Sequence, residues 1–261
     1  MLIAVDVGNT QTLAGLFSGG DLLHEWRIAT DRTATADELA AYHDQILRLR
    51  GGGLEALDAM VVCSVVPAVT AGYVELARKY LEHDALVLGP GVRTGIRLAI
   101  DNPHELGADR LANAVAAFGA FGGPCVVVDF GTATTLDAIS GAGEYLGGAI
   151  APGIETSLAA LTSRADRLIQ IDLVAPDRVI GKSTLESMRS GAVFGTVAMV
   201  DGMVRRMRDE LGPQTIVVAT GGLAGLVCRL SVEIDEHRPL LTLEGLRAVH
   251  ELNARSPSRP R

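Results

Sequence analysis

Two stretches of this chain follow one pattern. "LIAVDVGNTQTLAGL" (2–16) and "VVVDFGTATTLDAI" (126–139) each drive an apolar strand into an aspartate, then a glycine-bearing turn rich in hydroxyls, then a second strand. Aligned on Asp6 and Asp129, Gly8 falls on Gly131, Asn9 on Thr132, Thr12 on Thr135 and Leu13 on Leu136. A strand that ends on a carboxylate beside a tight turn sets amides and hydroxyls around a concave bend. Such bends bind phosphate oxygens, while the carboxylate holds the accompanying cation. One copy alone would be read as an acid satisfying turn amides; the recurrence favours ligand chemistry.

Each copy opens a longer repeat. "LIAVDV", "TLAGLF" and "LLHEWRIAT" predict an antiparallel meander, followed by a helix over 36–49, a strand in "AMVVCSVV" and a helix opened by Pro67 through about 81. "ALVLG" adds a short strand and "HELGADRLANAVAAFGAF" a helix. "CVVVDF", "TTLDAIS" and "EYLGGAIA" then restart the meander. Further helices are predicted over 154–168 and 184–210. A strand in "TIVVAT" leads through "GG" into a helix, and a closing helix "TLEGLRAVHELN" is capped by Thr242. This reading gives an internal duplication with a boundary near 118–124: domains 1–118 and 119–253, with 254–261 as a disordered basic tail.

Composition fits a folded α/β chain, since 48% of the residues are hydrophobic. The net charge of −8 carries no basic stripe, which argues against nucleic acid or anionic membrane as partners. No signal peptide or spanning run is read, so a cytoplasmic location is expected. Cys63, Cys125 and Cys228 read as small buried hydrophobes. The six histidines show no ligand spacing and read as surface or half-buried residues.

Other motifs are weighed in turn. "GKST" (181–184) lacks a P-loop's first glycine, because Pro176 stands there, and "HELGA" (104–108) has Ala108 where a zinc protease needs histidine. "GADR" (107–110) sets Asp109 in the first turn of a helix, where dipole stabilisation and catalysis are equally good readings. "VVATGGLAGL" (217–226) opens a strand through Gly221 and Gly222 into a helix, a turn that admits a nucleoside or phosphate or serves only as a turn.

Taken together, "DVGNTQTLAGLF", "NPHELGADRLANAVAA", "DFGTATTLDAI", "YLGGAIAPGI", "GKSTLESMRSG" and "ATGGLAGL" resemble, in that order and over nearly the whole length, the type III pantothenate kinases. These belong to the acetate and sugar kinase, Hsp70 and actin superfamily. The resemblance implies two duplicated ribonuclease H-like (actin-like ATPase) domains with mixed sheets, helices and an interdomain nucleotide cleft. It implies transfer of phosphate from ATP to the primary hydroxyl of pantothenate, the first step toward coenzyme A. The alternative is a catalytically silent nucleotide-binding accessory protein.

On residues, the resemblance gives the ATP phosphates to Asp6, Val7, Gly8, Asn9, Thr10, Gln11, Thr12 and Leu13, with Thr132 from the second hairpin; Gly221 and Gly222 at the late turn are expected to contact the nucleotide. Asp129 would bind a potassium or ammonium ion, and magnesium would accompany ATP near Asp6. Gly107, Ala108, Asp109, Arg110 and Thr184 would contact pantothenate, with Asp109 as proton acceptor. A homodimer is implied. The chain departs from the family at Ile100, where relatives often carry an aromatic residue, so the wall of the substrate pocket differs there.

Overall fold

The computed structural model describes residues 1–163 and 171–254. The predicted tail, apart from Ala254, and the end of the helix predicted over 154–168 lie outside these residues. In chain order the elements are β1 (Leu2–Val7), β2 (Gln11–Ser18), β3 (Asp21–Ala29), α1 (Ala36–Leu49), β4 (Ala59–Ser64), α2 (Pro67–Tyr80), β5 (Leu86–Val87), β6 (Arg97–Leu98) and α3 (Ala108–Phe121). They continue with β7 (Cys125–Phe130), β8 (Ala133–Ile139), β9 (Glu144–Pro152), α4 (Ile154–Ser163), α5 (Thr184–Leu211), β10 (Ile216–Thr220), α6 (Ala224–Val227), β11 (Glu236–His237) and α7 (Leu241–Ala254). No helix among the described residues is long and apolar enough to cross a membrane.

Two mixed sheets carry the chain, and their topologies match over five strands, with β6 an extra edge strand of the second. The first runs β3-β2-β1-β4-β5 and the second β11-β10-β7-β8-β9-β6. In each, an antiparallel meander (β1–β3, β7–β9) is extended on the side of its first strand by two parallel strands, β4 and β5 or β10 and β11. The duplication read from a few aligned residues is therefore a duplication of strand order.

The alignment itself needs one correction. In the first hairpin Val7 faces Thr12, leaving residues 8–11 as the tip, whereas in the second Phe130 faces Thr134, leaving only 131–133. Beyond the turn the ungapped alignment is thus out by one residue, and a slip of one exchanges the two faces of a strand. Thr12 corresponds to Thr134, both buried at 1–2% exposure, and Leu13 to Thr135. The difference is visible in the bonding. Thr12 shares a hydrogen bond with the Thr30 hydroxyl (2.9 Å). The matching position on β9's side, two residues past Thr134's partner Ala151, is Gly153. Accordingly the Thr134 hydroxyl has no hydrogen-bond partner among the described residues.

The chain forms two compact units, the first holding 1–95, 102–116 and the segment from Leu241, the second 96–101 and 117–240. In the first, Ile3, Val5, Val7, Ala14 and Leu16 pack on Leu39, Ala40 and Leu47 of α1 and on Val69, Tyr73 and Leu76 of α2. Helix α1 is fixed at its start by a capping box between Thr35 and Glu38, and α2 begins on Pro67 at a position that needs no amide proton.

His43 departs from the expected surface or half-buried place: it is fully buried, with Trp26 Nε1 donating to Nδ1 (3.1 Å) and Nε2 bonded to the Tyr73 hydroxyl (2.9 Å). Because indole only donates, Nδ1 is the acceptor and the ring proton sits on Nε2. Burial lowers its pKa to about 4.

Helix α7 covers the other face of the first sheet, packing on β1 and β4. Thr242 is not its cap. The helix starts at Leu241, and Thr242 is buried with its hydroxyl donating to Asn113 Oδ1 (2.8 Å). Gly245 lies so close to α3 that an added Cβ would overlap the carbonyl of Ala112.

In the second unit Val126, Val128, Phe130 and Leu136 pack on Ile154 of α4, Val197, Val200 and Val204 of α5, and Val217 of β10.

Candidate active site

Both acids sit next to last in their strands. Asp6 lies beside Leu13 on β2 and Cys63 on β4, and Asp129 lies beside Thr135 on β8 and Thr220 on β10. The neighbours β4 and β10 run parallel to them, so each carboxylate stands at the carboxyl edge of a parallel strand pair, where open α/β sheets bind ligands.

In the first hairpin the Gly8 amide donates to Gln11 O (3.0 Å), closing the turn. A Cβ on Gly8 would lie 2.9 Å from that same oxygen, so glycine supplies room here rather than a ligand donor. Asn9, Thr10 and Gln11 are exposed at the tip, Asp6 and Gly8 half-buried, and Val7, Thr12 and Leu13 buried.

Cys63 donates its thiol to Asp6 Oδ1 (3.2 Å). Burial, the Asp6 charge and then the Asp109 charge push this thiol well above its ordinary range. Two acids far apart in sequence therefore act on one group. Asp109 occupies the first turn of α3, and its Oδ1 accepts the Arg110 amide (2.8 Å). That oxygen folds back over Gly107, where a Cβ would collide with it. A first-turn place in α3 and an influence on Cys63 hold together for this residue; Ala108 and Arg110 flank it, half-buried.

In the second unit the Gly131 amide closes its turn on Ala133 O (3.0 Å). Thr132 projects to solvent, and its carbonyl takes both the Gly153 amide (3.0 Å) and the Thr156 hydroxyl (2.7 Å). Gly221, at φ +94°, abuts Asp129: a Cβ would stand 2.5 Å from Oδ1 and 2.6 Å from the Phe130 amide nitrogen. Gly222 is exposed. The helix that follows, α6, is a single turn and offers little dipole to a phosphate.

Thr184 is the exposed first residue of α5. The "GKST" segment serves that helix start: Ser183 accepts the Glu186 amide (3.2 Å) and Glu186 Oε2 accepts the Lys182 amide (2.6 Å). Ile100 lies near Gly147, whose φ is +111°.

Sequence reasoning passed over two residues. Cys63 becomes visible only once β4 is registered against β1. Arg32, in the "TDRT" loop after β3, donates from Nη2 to Asn9 Oδ1 (3.0 Å) at the hairpin tip.

Comparison with known proteins agrees with this geometry. The family model described as type III pantothenate kinase matches residues 2–206. A protein from Moorella thermoacetica named type III pantothenate kinase is 50% identical, covering 97% of this chain and 100% of its own. Among solved structures, one from Campylobacter jejuni assigned to the Baf family of transcriptional activators aligns with a TM-score of 0.62 at 19% identity, covering 97% and 100% of the two chains. One from Sinorhizobium meliloti, assigned as a 2-dehydro-3-deoxygalactonokinase, aligns at 0.57 and 15%, covering 100% and 99%. At those identities the two structures speak for the fold alone. Paired acidic hairpins, a first-turn acid beside one of them and half-identity over the full length lead to one assignment: the chain belongs to the type III pantothenate kinase family.

Proposed function

We propose that the chain transfers the γ-phosphoryl group of ATP to the primary hydroxyl of pantothenate, giving 4'-phosphopantothenate and ADP, and that Asp109 accepts the hydroxyl proton. The observation that supports this reading is that Asp6 and Asp109 both bear on Cys63, Asp6 through the thiol's hydrogen bond and both through their charge. Bond formation from the alcohol oxygen to phosphorus accompanies cleavage of the bond to the bridging oxygen, whose electron pair leaves with ADP. The alcohol's proton passes to the Asp109 carboxylate, which the Arg110 amide keeps oriented. Phosphoryl transfer asks mainly for positioning and charge neutralisation. The exposed tip of Asn9, Thr10 and Gln11 and the hydroxyl of Thr132 suit that task. Gly221 and Gly222 suit close approach of the nucleoside, and Arg110 and Thr184 suit the polar groups of pantothenate.

Two cations belong to this reading. Among the described residues no group of three or more His, Cys, Asp or Glu side chains could hold a metal ion. Magnesium takes most of its ligands from phosphates and water and would need only Asp6 from the protein. For Asp129, the backbone of Gly221 pressed against the carboxylate forms a cradle that any side chain would fill, which suits a potassium or ammonium ion. Bound there, these ions supply positive charge against the phosphates. We assign a homodimer on the family resemblance.

The test is an ATP-dependent assay with pantothenate in parallel sodium, potassium and ammonium salts. Phosphopantothenate and ADP should appear in equal amounts, faster in potassium or ammonium. Folded protein that makes no product in any salt overturns the assignment of activity.

A further inference from the structure

The loop between β3 and α1 is fastened to the first hairpin at three points. The Thr30 amide donates to Thr10 O (2.9 Å), the Thr12 and Thr30 hydroxyls share a bond (2.9 Å), and Arg32 Nη2 donates to Asn9 Oδ1 (3.0 Å). The loop is also braced internally. Asp31 Oδ1 accepts both the amide (2.8 Å) and the hydroxyl (2.7 Å) of Thr33, so the acid next to Arg32 is engaged within its own turn.

Arg32 stands in this loop beside the hairpin tip. It is exposed, and among the described residues it has no carboxylate within 4.0 Å. Its partner is a neutral amide oxygen, which fixes the guanidinium in place without neutralising it. An arginine carries five N–H donors in a planar fork that matches phosphate oxygens. We propose that Arg32 is a triphosphate-binding residue: held at the hairpin tip by Asn9, it turns its remaining N–H groups onto phosphate oxygens of ATP bound at that tip. It offsets there the negative charge that Asp6 brings to the same turn.

This inference rests on the ATP-binding reading above, so its test reads binding as well as turnover. Wild type, Arg32→Ala and Arg32→Lys are compared by calorimetric titration with ATP and with adenosine, by steady-state kinetics and by thermal unfolding without nucleotide. Loss of a charge-assisted hydrogen bond to phosphate corresponds to about 10–100-fold. Arg32→Ala should weaken ATP binding and raise KM for ATP by that factor, leaving adenosine affinity and KM for pantothenate within about twofold. Arg32→Lys should recover part of the loss, and the unfolding midpoints should coincide, since one exposed bond to Asn9 contributes little.

ATP affinity of Arg32→Ala within about twofold of wild type overturns the proposal, and so does an equal loss for adenosine and ATP. Wild-type protein that binds ATP yet leaves pantothenate unphosphorylated removes the kinase assignment while the comparison at Arg32 still decides this one. Wild-type protein that binds no ATP removes both.

Discussion

Gly221 presses its backbone against the carboxylate of Asp129, so closely that a methyl group at its α-carbon would lie 2.5 Å from Oδ1. With φ at +94°, the position is also one that L side chains rarely adopt. Gly221→Ala should therefore lower unfolding free energy by about 1–3 kcal/mol, from backbone strain and the forced shift of the strand end. It should also blunt any stimulation of turnover by potassium. Urea unfolding and the assay in sodium against potassium check both; a variant with wild-type stability and wild-type ion response refutes the cradle.

Asp109→Asn keeps the shape of the side chain and its acceptor for the Arg110 amide while removing the basic oxygen. Turnover should fall by about 10²–10⁴-fold, the usual contribution of a positioned base. ATP affinity should hold, and calorimetry beside initial rates separates the two. Unchanged kcat would rule out Asp109 as proton acceptor.

The paired threonines make a test of stability. Thr12→Val loses the hydroxyl bond to Thr30 and leaves that partner behind, so it should cost about 1 kcal/mol. Thr134→Val removes a buried hydroxyl that has no partner among the described residues and replaces it with a group of the same shape. That change should be neutral or stabilising. The denaturant midpoint should fall for Thr12→Val and hold or rise for Thr134→Val; a Thr134→Val loss as large as that of Thr12→Val would show that the two hairpins are bonded alike.

His43 sets a pH dependence. Its pKa is about 4 in the folded protein, against about 6.5 in an unfolded chain. Below pH 6.5 the unfolded chain binds a proton that the folded one refuses. Stability is thus complete above pH 6.5, declines as pH falls toward 4, and loses about 3 kcal/mol across that window. Urea titrations at pH 7 and pH 4.5 measure it. His43→Gln should be less stable at pH 7 but show a shallower decline.

How much of this the sequence disclosed depended on the range of the interaction. Helix α1 spans the expected 36–49, and what starts it is local, a capping box between Thr35 and Glu38 three residues apart. Pro67 announced α2 in the same way. Both acidic hairpins were legible, yet the ungapped alignment failed past the turn, since the second tip is one residue shorter and only strand pairing reveals that. Thr242 has the composition of a cap, but its hydroxyl is claimed by Asn113, 129 residues away. Arg32 beside Asn9, and Cys63 beside Asp6, are also products of tertiary pairing; spacing along the chain carries no trace of them.

The return of α7 to the first unit has a bearing on how the protein is made. A ribosome releases β1 to α2 early, but the face of that sheet which α7 covers must wait until residues 241–254 emerge. The intervening 117–240 can by then have closed on themselves. Until α7 arrives, Gly15 on β2 lacks its final cover, the side chain of Leu243. The nascent chain should therefore acquire nucleotide affinity late, after its second half has been synthesised.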